Sequence, residues 1–310
     1  MRKGVVIHPE ELSLSWIERA EKYRIDVIGL HPVGGADTVA SLHRLVEHLQ
    51  TAEFRSLIDL AKSKGIAIEY EIHAAGWLLD RNLFKEHPEY FYETEDGNRT
   101  NEANFCVSNE EAMTIAVENA VKLAKLLYGS EPYYYFWMDD IRKGKCMCEK
   151  CNNLSTADQQ LIFVNRVATR LREEIPNAKV SYLAYYDALE VPTCEKAAEG
   201  VFLEYAPIVK YVLREDADYV KKEKDQIEPL LSFFGKEDSK VLEYWLDNSL
   251  FSDYKKPPRF LQPDQDAINR DIKEYCEVGF DFITNFACYL GLDYEEIHGE
   301  PNIAPYCEAF

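Results

Sequence analysis

EEAMTIAVENAVKLAKLL (110–127), YYYFWMDD (133–140) and DQQLIFVNRVATRLREEI (158–175) follow one another in the middle of the chain. The first and third place apolar residues at i, i+3, i+4 and i+7, the spacing of amphipathic helices, and Ser155–Thr156 is positioned to cap the third. The second is a near-continuous apolar run of the kind found in parallel strands covered by helices. The same alternation extends outward in both directions. Strand-like runs stand at GVVIHP (4–9), DVIGLHP (26–32), IAIEYEIHAAGW (66–77), KVSYLAYYD (179–187), VFLEYAP (201–207), KVLEYWLDN (240–248) and DFITNFACYLG (281–291), which with 133–140 makes eight. Eight strand–helix units predict one closed (β/α)8 barrel, a single domain over 1–310. A doubly wound open sheet would place a Gly-rich phosphate fingerprint after its first strand, and Gly34–Gly35 after the second does not supply one. No internal repeat, low-complexity tract or linker interrupts the pattern; KKPPRFLQP (255–263) reads as a loop.

The composition suits this reading. Hydrophobic residues make up 46% of the 310, enough for a large core, and 35 Lys and Arg against 55 Asp and Glu give a net charge of −20. Phosphate backbones and anionic membranes need clustered basic side chains, so neither nucleic acid nor a membrane surface is an expected partner. There is no apolar run near the roughly 18 residues that a membrane span requires. MRKGVVIHPEEL lacks the apolar region of a secretory signal, which predicts a cytoplasmic chain, although a mature chain shorn of its signal would read the same way. The oligomeric state is not legible.

Barrels of this kind build their active sites at the C-terminal ends of the strands. The residues expected there are His8, His31, Glu71, His73 and Trp77 from the first three strands, then Trp137, Asp139 and Asp140. Tyr185, Glu204, Trp245, Asp247 and Asn285 follow from the last four. Flat aromatics stack on pyranose rings, while carboxylates, imidazoles and amides bond hydroxyls, so the inventory predicts a carbohydrate ligand. Adjacent carboxylates against an aromatic wall should titrate as a coupled pair, one holding its proton while the other ionises. Glycoside cleavage needs that division.

A double aspartate closing strand four resembles the family-84 hexosaminidases; family-20 enzymes carry Asp-Glu at the equivalent place. In both, the first acid orients the substrate's 2-acetamido group, which attacks the anomeric carbon, and the second is the general acid/base. The resemblance implies that Asp139 orients and Asp140 donates the proton. FKEHPEYF (84–91), FCVSNEEA (105–112), WMDD followed by CMCEKC, and FVNRVATRLREEIPNAKVSYLAYY (163–186) are together similar to a bacterial domain family related to the hexosaminidase and α-glucuronidase barrels. That similarity implies a hydrolase of amino-sugar or uronic-acid glycosides. Two alternatives stand beside substrate assistance. One is a two-carboxylate glycosidase pairing Asp140 with Glu204 or Asp247; the other is a non-catalytic sugar-binding barrel.

Cys146, Cys148 and Cys151 sit at ligand spacing in the loop after strand four, and Cys106, in the preceding connection, is the natural fourth member of a structural zinc site. The other four cysteines read as packing residues, and no organic cofactor is expected. His8, His31, His73 and Glu71 at adjacent strand ends would suit a catalytic metal, but no His-x-His spacing supports it, and hydroxyl binding is the simpler account.

Overall fold

A computed structural model describes residues 1–213 and 215–310. Its eight strands close into an all-parallel barrel in sequence order: β1 (Arg2–Ile7), β2 (Val27–Leu30), β3 (Ala67–His73), β4 (Tyr133–Trp137), β5 (Lys179–Ala184), β6 (Val201–Tyr205), β7 (Lys240–Glu243) and β8 (Phe282–Phe286). The register runs from Gly4↔Val27 between β1 and β2 to the closing pair Arg2↔Phe282 between β1 and β8. Each strand stops short of the apolar run that encodes it, because the residues past the ladder turn over the barrel mouth.

Helices cover the outside: α1 (Leu14–Lys22), α2 (Thr38–His48), α3 (Ala52–Ser63), α4 (Glu110–Leu126), α5 (Thr156–Glu174), α6 (Ala217–Asp225), α7 (Ile227–Phe234) and α8 (Gln265–Val278), with shorter turns between them. The expected cap of α5 is a reciprocal box: Asp158 N–H donates to Ser155 Oγ at 2.9 Å and Ser155 N–H donates to Asp158 Oδ2 at 3.0 Å. One crossover departs from the strand–helix alternation. Residues 185–200, between β5 and β6, form only a 3-10 turn at Tyr186–Ala188, and Asp158 Oδ1 anchors this loop by accepting from Thr193 N (2.6 Å) and Cys194 N (2.9 Å). No described helix is long and apolar enough to cross a membrane.

The barrel interior is not wholly apolar. Lys240 Nζ lies 2.8 Å from Glu71 Oε1, 3.0 Å from Glu204 Oε1 and 3.6 Å from Glu69 Oε2, and 4.1 Å from the centre of the Tyr135 ring. All five residues are buried. Gly29 makes room for them: a Cβ there would sit 2.8 Å from Glu71 Oε1. Three carboxylates against one ammonium cannot all ionise cheaply, and burial pushes Glu71 up to about 8. Burial alone would lower Lys240, but the carboxylates outweigh it and hold the ammonium above the ordinary lysine range. Lys240→Met is therefore expected to destabilise the fold by about 3–5 kcal/mol, since it strands buried acids without their cation. Urea unfolding measures this, and a loss below about 1 kcal/mol would contradict the account.

Candidate active site

At the C-terminal mouth a cavity of about 530 Å³ opens to solvent. His8, His31, His73, Trp137, Asp140, Tyr185 and Asp247 line it, as the strand-end reading anticipates. Tyr244, Tyr254, Tyr289, Phe286 and Asp37 complete its polar and aromatic surface.

The three imidazoles are fixed by one repeated device. His8 Nδ1 meets His31 O at 2.8 Å, His31 Nδ1 meets Glu71 O at 2.8 Å, and His73 Nδ1 meets Met138 O at 2.6 Å. A carbonyl only accepts, so each Nδ1 carries the proton and each Nε2 is the free ring nitrogen. Burial lowers the pKa of His8 and lowers that of His31 well below the ordinary histidine value, keeping both neutral near pH 7. Their rings form a row, with centroids 6.2 Å apart for His8–His31 and 5.7 Å for His31–His73.

The two adjacent aspartates part company. Asp139 points away from the main cavity into a smaller neighbouring pocket, where its carboxylate is paired with the Arg81 guanidinium and accepts from Asn104 N–H at 2.5 Å. Asp139 N–H in turn donates to Asn104 Oδ1 at 2.8 Å. Asp140 faces the main cavity, is exposed, and accepts from the Tyr185 hydroxyl at 3.0 Å. The shared-proton pair expected from adjacency is thus replaced by two carboxylates with separate partners.

Asp247, at the end of the β7 segment, faces the same cavity as Asp140. Its Oδ1 takes Ser249 Oγ–H at 2.6 Å, Ser249 N–H at 3.1 Å and Leu250 N–H at 3.3 Å. Burial raises its pKa above the ordinary carboxylate value despite these bonds. Among the described residues neither Asp140 nor Asp247 has an ion-pair partner. Both act electrostatically on the same two phenols, Tyr244 and Tyr254.

Five expected ligand-binding residues lie elsewhere. Glu71 and Glu204 are a layer deeper, held by Lys240, with Trp137 Nε1–H donating to Glu204 Oε2 at 2.8 Å across the boundary. Trp245 points outward, its indole N–H on Asp271 at 3.2 Å and its ring near Tyr275 and Tyr306. Lys240 and Leu242 face inward, so alternation brings Tyr244 to the cavity and turns Trp245 out. Asn285 is buried against its own strand, donating to Phe286 O at 2.9 Å, and Phe286 faces the cavity instead. Trp77, on the short helix Ala75–Leu78, is not part of the cavity wall. The Glu71 carboxylate is held by Lys240 in the layer below the imidazole row, and the one metal-type donor cluster among the described residues is the cysteine group.

Cys106, Cys146, Cys148 and Cys151 are buried and free of disulfides, with all four sulfurs within 4.8 Å of one another. Cys106 Sγ is 3.7 Å from Cys148 Sγ and 3.8 Å from Cys151 Sγ. This group could hold a metal ion. It joins the loop before α4 to the loop after β4 beside a second clip, in which Asn104 Nδ2–H donates to Gly144 O at 3.0 Å.

Buried acids give the fold a pH signature. Glu71 titrates at about 8 and Glu11 and Glu223 at about 7, each raised from 4.5 chiefly by burial. The folded chain then holds protons that the unfolded chain has released, so their stability contribution is full below about 4.5 and is lost as pH rises toward 8. His8 and His31, with lowered values, act oppositely, but only below 6.5. Between pH 6.5 and 8.5 Tm is therefore expected to fall. A scan in matched ionic strength checks this, and a flat or rising Tm would contradict it.

A parallel eight-stranded barrel with an aromatic and carboxylate-lined cavity at its C-terminal mouth defines the class of protein. The chain belongs to the family described as domain of unknown function DUF4838, whose sequence profile matches residues 36–285. Solved structures that it resembles include ZgEngAGH5_4 in complex with a cellotriose (12% identity, TM-score 0.55, covering 100% of this chain and 95% of that one). Others are the GH20 modules of the pneumococcal exo-β-D-N-acetylglucosaminidase StrH (14%, TM-score 0.52, 99% and 82%) and a protein described as a glycoside hydrolase (13%, TM-score 0.52, 97% and 93%). At these identities the likeness is one of fold. No curated protein matches.

Proposed function

We propose that this chain is a glycoside hydrolase whose working carboxylates are Asp140 and Asp247. The observation that carries the reading is that these two face one aromatic-walled cavity without cationic partners, while Asp139 and Glu204 are each engaged by a cation. The fold likeness to glycosidases is consistent with it. Asp247, raised by burial and with its Oδ2 outside the Ser249–Leu250 bonds, serves as the proton donor to the glycosidic oxygen. Asp140, exposed and bonded by Tyr185, meets the anomeric centre or its attacking water as the carboxylate. This reverses the role that the hexosaminidase resemblance implies for Asp140. It also removes Asp139 from direct contact with a ring in the main cavity. Trp137, Tyr244 and Tyr289 supply faces for sugar rings.

The four thiols suit a structural zinc. A zinc–sulfur bond of about 2.3 Å in tetrahedral geometry sets sulfur–sulfur edges of roughly 3.8 Å, which the Cys106 distances match. The ion would fix the loop that carries Asp140 without entering the reaction.

The test is release of the aryl group from a panel of aryl glycosides. The wild type should cleave at least one and Asp140→Asn should not; a protein that binds but turns over none would be the sugar-binding barrel instead.

A further inference from the structure

The cavity's side chains have nearly all spent their hydrogens on one another. The Nδ1–H groups of His8, His31 and His73 go to backbone carbonyls, and the Trp137 indole N–H goes to Glu204. The Tyr185 hydroxyl donates to Asp140, Ser249 Oγ donates to Asp247, and the Tyr289 hydroxyl reaches Tyr254 O at 3.5 Å. Among the described lining side chains, Tyr244 and Tyr254 keep the remaining hydroxyl donors. What the walls present inward is therefore chiefly lone pairs and negative charge: the Nε2 atoms of His8 and His31, and the carboxylates of Asp37 and Asp140, with the Asp247 carboxyl, the proton donor of the proposed reaction, as the exception.

His31 shows this most clearly. Its side chain is buried, 8% exposed, and its free Nε2 belongs to a ring that lines the cavity. No lysine or arginine lines the cavity among the described residues. Lys256, beside the lining Tyr289, and Arg142, two residues from Asp140, have partners of their own. Lys256 lies 4.9 Å from the Tyr289 ring centre and is paired with Asp293 at 2.5 Å, and Arg142 lies over the Tyr186 and Tyr219 rings at 5.8 and 5.7 Å. Aromatic faces beside carboxylates attract an ammonium further.

We infer that the preferred ligand is a glycoside bearing a free, protonated amino group, and that uronic acids are rejected. The inference rests on the glycosidase reading and narrows its substrate class. A sugar carboxylate in this cavity would meet lone pairs where it needs donors, and each unmet buried charge is costly. An ammonium offers three donors to a site built of acceptors. The free amine also cannot act as the internal nucleophile that an acetamido group provides, in keeping with a mechanism run by two protein carboxylates.

The experiment is calorimetric titration at pH 7 of the wild-type protein with methyl β-glucosaminide, methyl β-glucoside, methyl β-glucuronide and cyclohexylamine. The expected order is amine over neutral sugar by about tenfold or more, with the uronide weakest. Raised salt should shrink the amine's advantage over the neutral sugar, and Asp37→Asn should shrink it too. Equal affinity for the three glycosides, or preference for the uronide, would overturn the inference while leaving a sugar site intact. Binding of cyclohexylamine without any sugar would uphold the cationic site and sink the glycosidase reading. No binding by any probe would sink both.

Discussion

Asp140→Asn is expected to lower kcat about 10²–10⁴-fold on any glycoside that the wild type cleaves, whatever the leaving group. The carboxylate is needed at the anomeric centre in every case, and the amide that replaces it neither attacks nor activates water. Asp247→Asn should behave differently. Loss of a proton donor should cost a comparable factor on alkyl glycosides, whose alkoxide is a poor leaving group. On dinitrophenyl glycosides, which depart unprotonated, the loss should be much smaller. The high-pH limb of kcat/KM should also vanish in that variant, because it would report the loss of the Asp247 proton, which burial holds above the ordinary carboxylate range. Asp139→Asn provides the contrast. Its carboxylate is paired with Arg81 and bonded by Asn104, so its loss should lower Tm and leave kcat within about tenfold. If Asp139→Asn instead abolished turnover of a stable, folded protein while Asp140→Asn did not, Asp139 would be the catalytic carboxylate and Asp140 would not.

The second large effect concerns the four thiols. Protein purified without chelator should carry close to one zinc per chain by elemental analysis, and Cys148→Ser should lose it. Structural metal sites contribute folding energy directly. A loss of about 3 kcal/mol at the melting point corresponds to roughly 4–6 °C in a chain of 310 residues. Cys194→Ser, at an exposed cysteine outside the cluster, is the control and should change neither metal content nor Tm. The loop after β4 should loosen with the metal gone, so activity near 25 °C should fall in Cys148→Ser even where the barrel stays folded. Iron in place of zinc would revise the ion and leave the site; four free thiols with full stability would remove it.

The barrel is legible in the sequence because its signal repeats. Eight near-continuous apolar runs separated by helical spacers permit few topologies, and each run forms a strand. The places where the strands end are less legible, and they decide which residues reach the mouth. Side chains alternate along a strand. Counted from the inward Lys240, alternation brings Tyr244 rather than Trp245 to the cavity, and counted from Phe282 it brings Phe286 rather than Asn285. Glu71 and Glu204 face inward as strand alternation requires but lie one layer too deep. Lys240 holds them there; it opens β7 at the far end, and a one-dimensional pattern carries no sign of its partners.

Arg81 and Asn104 illustrate a different gap. Both sit in the long connection between β3 and β4, without periodicity to place them, yet together they take Asp139 out of the main cavity. Nothing in the adjacent letters of Asp139 and Asp140 distinguishes the two. The cysteine cluster is easier because metal ligation leaves a spacing. Its fourth member, Cys106, follows from barrel topology, which puts successive loops side by side on one face.

The most direct measurement is a crystal structure of the protein soaked with a hydrolysis-resistant thioglycoside of a free amino sugar. The account predicts the ring in the main cavity between Trp137 and Tyr244, with its amino group on a carboxylate or imidazole Nε2. The interglycosidic sulfur should lie within hydrogen-bond reach of Asp247, and Asp140 should face the anomeric carbon. A ligand seated instead in the small pocket at Asp139, or bound with its anomeric carbon away from both Asp140 and Asp247, would contradict it.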